Sequence, residues 1–171
     1  FKGENLSSGT WTGWGGLSVV YKGADESLTL AALDGEIQSL VNEAVYLSEN
    51  SLAINVAETN NALGEAASAG EAALEGDVEA KKDAITALKD AIALAKESES
   101  LINRLFEVHT MYANLQSMSE VVSTDTEFDA LIEESNPEGE FESNAAIEAF
   151  MTALPTAWTK YVCAQKGMAT A

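Results

Sequence analysis

The sequence has only one cysteine, one histidine and two prolines in 171 residues. Cys163 has no partner for a disulfide within the chain, and no Cys/His spacing typical of a zinc site is present. His109 is the only imidazole available to a Ser–His–Asp triad. A di-iron helical bundle needs two Glu-x-x-His pairs, and residue 106 is Phe, so even one pair is missing. We therefore expect no metal, no cofactor and no catalytic residues.

Basic residues are also scarce, with 9 against 28 acidic residues and a formal net charge of −19. No cluster of Lys or Arg is available to release counterions from a phosphate backbone, and the acidic balance repels nucleic acids and anionic lipid surfaces. The sequence also lacks a run of about 18 apolar residues, the length that a membrane-spanning helix needs. We therefore expect neither nucleic-acid binding nor membrane insertion.

Apolar residues recur at spacings of three and four over most of the chain, which predicts helices. Their predicted ranges are 27–50, 56–74, a third that begins at Val78 in the tract 77–122, about 126–134 and about 143–164. Neither proline nor glycine interrupts the third range, so we expect one continuous helix of about 69 Å there. Ser98 and Ser100 mark its weakest point. Pro155 is expected to kink or restart the last helix.

Small residues shape the first three helices. The connection Glu75-Gly76-Asp77 predicts a left-handed glycine followed by an N-cap, and its shortness predicts antiparallel neighbours. Gly64 and Gly70 lie on or near the apolar stripe of the second helix and suggest close helix packing. Much of the 46 % hydrophobic fraction is alanine, so the core should be broad and thin.

Residues 1–23 differ from the rest because they are rich in Gly, Ser, Thr and Trp. Their glycines exclude a helix, and the alternation of Leu17, Val19 and Tyr21 with their neighbours suggests a short strand. We therefore predict an all-α fold: an antiparallel bundle of four to five helices over residues 24–171, preceded by a β-like segment over residues 1–23.

Trp11 and Trp14 are the candidate ligand-binding residues. A flat indole face can stack on a sugar ring, whereas the alternative is that both side chains are buried in a core. His109 lies on an apolar stripe and is interpreted as a core-edge or surface residue rather than a general base.

Acidic residues cluster around the turn that follows the fourth helix. The cluster comprises Glu133, Glu134, Glu138, Glu140 and Glu142. A solvated acidic loop explains this cluster better than a weak surface calcium site. The stretch from Asp125 to Asp129 has acidic residues at alternate positions, but it does not begin an EF-hand, because Ala130 and Asn136 stand where Gly and Glu are needed.

Residues 30–96 resemble the FIVAR-type helical modules of bacterial surface and carbohydrate-active proteins. The matching stretches are LAALDGEIQSLVNEAVYL, ALGEAASAGEAAL and DVEAKKDAITALKDAIALA. The segment NVAETNNAL departs from the family pattern, since it lacks the aromatic residue usual early in the second helix. Residues 1–21 resemble the opening of the galactose-binding-like jelly rolls found in surface proteins of gut Bacteroidetes. No catalytic residue carries over from either family.

We predict a non-enzymatic module, because each catalytic or metal constellation lacks a required residue, and a spacer or adhesive domain, because a long third helix packed by shorter ones would be stiff. The resemblances imply that it belongs to a secreted or cell-surface bacterial protein. A glycan or a host or cell-surface protein would be its partner. The alternative is a carbohydrate-binding module that uses Trp11 and Trp14. A hydrolase would instead require a deep pocket with a carboxylate pair or His109 at its floor.

Overall fold

The computed structural model describes residues 26–118 and 126–165 and contains five α-helices within those ranges. They are α1 (Glu26–Asn50), α2 (Ala57–Ala73), α3 (Val78–Met118), α4 (Thr126–Glu134) and α5 (Asn144–Gln165), with a 3₁₀ turn at Leu52–Asn55 after α1. The described part is mostly helical and contains no β-strand, which confirms the all-α prediction. The β-like segment predicted for residues 1–23 lies outside the described residues.

The helix limits agree closely with those expected from the apolar periodicity. α3 runs unbroken through Ser98 and Ser100, as predicted, and the end proposed at 122 lies outside the described residues. α5 contains Pro155 and continues on both sides of it, so the helix does not restart there. The 41 residues of α3 make that helix about 62 Å long.

Two ion pairs show the relative direction of α1 and α3. Lys89 Nζ lies 2.7 Å from Glu36, and Lys96 Nζ lies 2.8 Å from Glu43. A step of seven residues along α3 is therefore a step of seven along α1, which makes these two helices parallel. α2 runs back between them through short connections, so the first unit is an up-down-up three-helix bundle.

The first unit encloses the N-terminal core, and half of its buried residues are alanine. These are Ile37, Val41, Ala44, Leu47, Ala53, Leu63, Ala66, Ala73, Ala84, Ile85, Leu88, Ala91, Ile92 and Ala95. The helices approach closely at Gly70, where an added Cβ would lie 2.8 Å from Val41 Cγ2 and 2.9 Å from Leu88 Cδ1. Gly64 is exposed, with open space around it, so the packing role predicted for Gly64 was wrong.

The turn between α2 and α3 differs in one respect from the prediction. Gly76 does not adopt the left-handed conformation; a Cβ there would instead lie 2.9 Å from Ala80 Cβ and 3.1 Å from Ala73 O. Close approach of the two helix ends therefore explains this glycine. Asp77 is the predicted N-cap, because its Oδ1 accepts a 2.9 Å hydrogen bond from the Ala80 N–H.

Lys81 is buried near that turn, a feature that its sequence context did not indicate. It is 2 % exposed, pairs with Asp34 of α1 and donates a 2.5 Å hydrogen bond to Leu74 O. One ammonium group thus joins all three helices and satisfies a carbonyl at the end of α2.

The second unit is built on the other half of α3. Ser98 contacts Asn144, and Tyr112 packs against Trp158, so α5 runs parallel to α3 with a constant offset of 46 residues. α4 runs the other way, because Gln116 hydrogen-bonds to Asp129 and His109 to Ser135. The up-down-up order of the first unit is therefore repeated.

Four of the eleven buried residues of the C-terminal core are aromatic. Its buried residues are Val56, Leu101, Ile102, Leu105, Tyr112, Phe128, Phe141, Ile147, Leu154, Ala157 and Tyr161. Trp158 is partly buried against it and stacks on Tyr161 with ring centroids 5.4 Å apart. The interpretation of Trp158 as a core residue is confirmed.

Candidate functional site

The two tryptophans singled out from the sequence lie outside the described residues. Trp11 and Trp14 therefore remain a prediction, and their exposure is the property that decides between sugar stacking and burial. Trp158 is the tryptophan of the described part, and it belongs to the C-terminal core.

His109 lies between α3 and the end of α4. Its Nδ1 is 3.2 Å from Ser135 Oγ, and that hydroxyl donates a 3.3 Å hydrogen bond to Ile132 O. Ser135 is fully buried, so its hydroxyl is closed to a substrate. A serine nucleophile must be reached by its substrate, so this buried pair serves instead to hold the end of α4 against α3.

Partial burial lowers the pKa of His109 below its ordinary value of 6.5. Removing the ring from water disfavours the charged form, so the neutral imidazole is the form that the fold selects at neutral pH. This agrees with the interpretation of His109 as a core-edge residue.

The acidic cluster surrounds the turn Asn136-Pro137-Glu138-Gly139. The turn is closed by a 2.8 Å hydrogen bond from Gly139 N–H to Asn136 O, and the five glutamates around it are exposed. Within residues 26–118 and 126–165, no group of three or more His, Cys, Asp or Glu side chains has an arrangement that could hold a metal ion.

A shallow groove of about 600 Å³ runs between α4 and α5. Its lining includes Ala145, Ala149 and Ala153 together with Glu148 and Lys160. His109 and Ser135 do not line it. It is an open channel left by small side chains, and it does not resemble the deep pocket that a hydrolase requires.

The most distinctive polar arrangement lies where the two cores meet. We call it the joint: Thr59 of α2, Ser98 of α3 and Asn144 of α5. Ser98 Oγ lies 2.6 Å from Thr59 Oγ1 and 2.7 Å from Asn144 Oδ1, and both Thr59 and Ser98 are fully buried. The last buried residue of α3 before it, Ala95, belongs to the N-terminal core, and the next after it, Leu101, to the C-terminal core.

Not every buried polar atom of the joint has a hydrogen-bond partner. Asn144 Nδ2 is buried without a hydrogen-bond partner among the described residues. Ser98 has a single hydroxyl proton, and both Asn144 Oδ1 and Leu94 O lie within reach of it, the latter at 2.9 Å. With the nitrogen and oxygen of the Asn144 amide exchanged, Nδ2 would donate to Ser98 Oγ and leave the Ser98 proton to Leu94 O, and Oδ1 would be the buried atom without a partner.

Backbone hydrogen bonds reinforce the joint, and we call this set the latch. Ala57 N–H donates to Phe141 O at 2.8 Å, Glu58 N–H donates to Glu142 O at 3.2 Å, and Phe141 N–H donates to Asn55 O at 2.7 Å. The first two satisfy N–H groups at the start of α2, whose N-cap residue, Val56, makes no side-chain capping bond. The loop before α5 therefore caps α2.

Sequence reasoning identified Ser98 as a weak point of α3 but did not identify its partners. Thr59 was detectable as a polar residue on the stripe that contains Leu63 and Ala66. Asn144 carried no comparable signal, because its role depends on where α5 packs.

Comparisons with protein-family models, with curated proteins and with solved structures found no match to this chain. No helix in the described part of the chain combines the length and the hydropathy needed to cross a membrane.

Proposed function

We propose that this chain is a non-enzymatic spacer module of a secreted or cell-surface bacterial protein. The observation that carries the proposal is α3, a single helix of 41 residues that contributes its first half to one core and its second half to another. A helix packed along its whole length holds its two ends at a fixed separation, which is what a spacer requires.

Three features support this function. Each half of α3 is flanked by two further helices, which resist its bending. The net charge of −19 opposes self-association. The three stretches that resemble FIVAR-type modules coincide with most of α1, the later part of α2 and the first half of α3, and that resemblance is the basis for placing the module outside the cell.

The spacing is tested by electron–electron resonance between spin labels at Glu79→Cys and Ser117→Cys in a Cys163→Ser background. Both labelled positions are exposed on α3. An unbroken helix places them about 57 Å apart. If α3 instead broke at Ser98 and folded back in solution, the distance would be far shorter, and the spacer proposal would fail.

Glycan binding is the competing function, and it predicts a different result. A spacer shows no saturable change in tryptophan fluorescence with any sugar on a glycan panel. Saturable binding that disappears in Trp11→Ala and Trp14→Ala, but persists in Trp158→Phe, would identify a carbohydrate-binding module instead.

A further inference from the structure

We propose that the joint is a hinge, at which the second unit bends relative to the first while both cores stay folded. The proposal rests on the spacer function and adds one property to it: the module is stiff within each unit and compliant between them. Four features of the structure favour bending at the joint.

The first feature is the separation of the two cores. The buried apolar residues of α3 fall into two clusters with Ser98 between them, where Ser98 meets Thr59. Among the buried residues of the C-terminal core, Val56 at the start of α2 is contributed by the first unit. A bend at Ser98 therefore disturbs the packing of Val56 and leaves the rest of each core in place. The same bend at Leu88 or Leu105, both fully buried, would open a core and expose apolar surface.

The second feature is the unsatisfied hydrogen bonding at the joint. A buried donor without a partner favours an opened state in which water reaches it. Opening lets water reach the buried amide atom of Asn144 that has no partner, which is Nδ2 as placed and Oδ1 with the amide exchanged. The closed state therefore gains less from this cluster than from an apolar cluster of equal size.

The third feature is the hydrogen bond from Ser98 Oγ back to Leu94 O, four residues earlier in the same helix. Back-bonding of this kind competes with the helical N–H···O=C ladder and commonly bends helices. It provides α3 with a local place to bend at the level where the cores separate.

The fourth feature is the latch, which is small and can be broken selectively. Its three backbone hydrogen bonds connect residues 55–58 to residues 141–142. Ala57 is exposed and is the first residue of α2, where proline is well tolerated. The preceding residue, Val56, already has the extended backbone (φ −101°, ψ 110°) that a following proline requires. Ala57→Pro therefore deletes one latch donor with little harm to α2.

The test uses spin labels at Ser39→Cys on α1 and Thr159→Cys on α5, both exposed, in a Cys163→Ser background. We expect a main distance with a minor second population in the parent chain. In Ala57→Pro the second population should grow about fivefold, the effect of one net hydrogen bond. Val78→Pro, at the first position of α3 and about 30 Å from Ser98, is the control and should leave the distances unchanged.

Far-ultraviolet and near-ultraviolet circular dichroism show whether both units stay folded in the opened state. Retained helix content and a retained aromatic signal in Ala57→Pro support a hinge. A single unchanged distance in Ala57→Pro overturns the proposal, as does loss of the aromatic signal, because the second unit would then have unfolded. Equal broadening in Val78→Pro also overturns it.

Failure of the hinge is distinguishable from failure of the spacer. A bend of about 30° at Ser98 shortens the line from Glu79 to Ser117 by only about 2 Å. The long distance along α3 can therefore persist while the Ser39–Thr159 distribution stays single, in which case the spacer stands and the hinge does not.

Discussion

Gly64 and Gly70 lie six residues apart on α2 and have opposite surroundings. Gly70 is buried against Val41 and Leu88, whereas Gly64 is exposed with nothing near its missing Cβ. Helix propensity favours alanine over glycine at both positions by about 1 kcal/mol. Packing opposes the substitution by alanine only at Gly70, where an extra methyl group lowers the stability by about 1–3 kcal/mol.

Gly64→Ala should therefore stabilise the protein by about 0.5–1 kcal/mol. Gly70→Ala should be less stable than Gly64→Ala by about 1–3 kcal/mol, because the comparison cancels the propensity gain that both share. Urea titration followed by circular dichroism measures both values. Equal stability of the two variants would show that Val41 and Leu88 yield to the added methyl at no cost.

His109 makes stability depend on pH with a definite sign. Its pKa is lower in the folded protein than its ordinary value of 6.5, so the unfolded chain binds more protons in the window just below that pH. Stability is therefore complete above about pH 6.5 and falls as the pH drops toward the folded-state pKa.

We expect the melting temperature to fall between pH 7.5 and pH 5.5 in the parent chain and to fall less in His109→Asn. Asparagine keeps a donor near Ser135 Oγ but does not titrate. The carboxylates stay largely ionised over this range in both proteins, so the difference between them isolates the histidine. Identical pH profiles would mean that burial of the ring does not affect its protonation.

At the scale of single elements, α2 and α3 begin in different ways. α3 has a side-chain cap from Asp77, whereas α2 depends on carbonyl groups of the loop at 141–142. The first kind of start is local and was predictable from the Gly-Asp sequence. The start of α2 depends on residues about 85 positions apart, so no local sequence pattern predicts it.

Asp77→Ala should destabilise the protein by about 1 kcal/mol, because the Ala80 N–H loses its acceptor. Asp77→Asn keeps the acceptor and should lose only the smaller interaction of the charge with the helix dipole. Thermal unfolding of the two variants measures both. If Asp77→Asn were as unstable as Asp77→Ala, charge rather than capping would be the contribution of this residue.

At the scale of the whole molecule, repulsion among acidic residues opposes the few ion pairs. The pairs Lys89–Glu36 and Lys96–Glu43 are substantially exposed, and such pairs contribute little. The net charge of −19 acts over the whole surface. Salt screens both effects, and the repulsion is the larger.

The melting temperature should therefore rise by about 2–4 °C between 10 mM and 500 mM salt, which corresponds to about 1 kcal/mol in a chain of this length. Differential scanning calorimetry in NaCl and in KCl measures the rise and excludes binding of one specific cation. The variant Lys89→Gln, with net charge −20 from −19 − 1, should show a larger rise. A fall with salt would show that the ion pairs dominate.

The sequence by itself determined the five helices, because their apolar residues recur at helical spacing and because proline and glycine are rare within them. It also determined the capping of α3 by Asp77 and the alanine-rich nature of the first core, since both depend on residues close in sequence. The structure of residues 1–23, including Trp11 and Trp14, stays a prediction.

Only the tertiary structure decided that α3 serves two cores, that Gly70 rather than Gly64 lies at a helix contact, and that Thr59, Ser98 and Asn144 meet. Each of these depends on which helix faces come together, and periodicity gives the face of one helix without naming its partner. The joint and the latch are formed by residues 39 to 86 positions apart, so they exist only once both units have packed on α3.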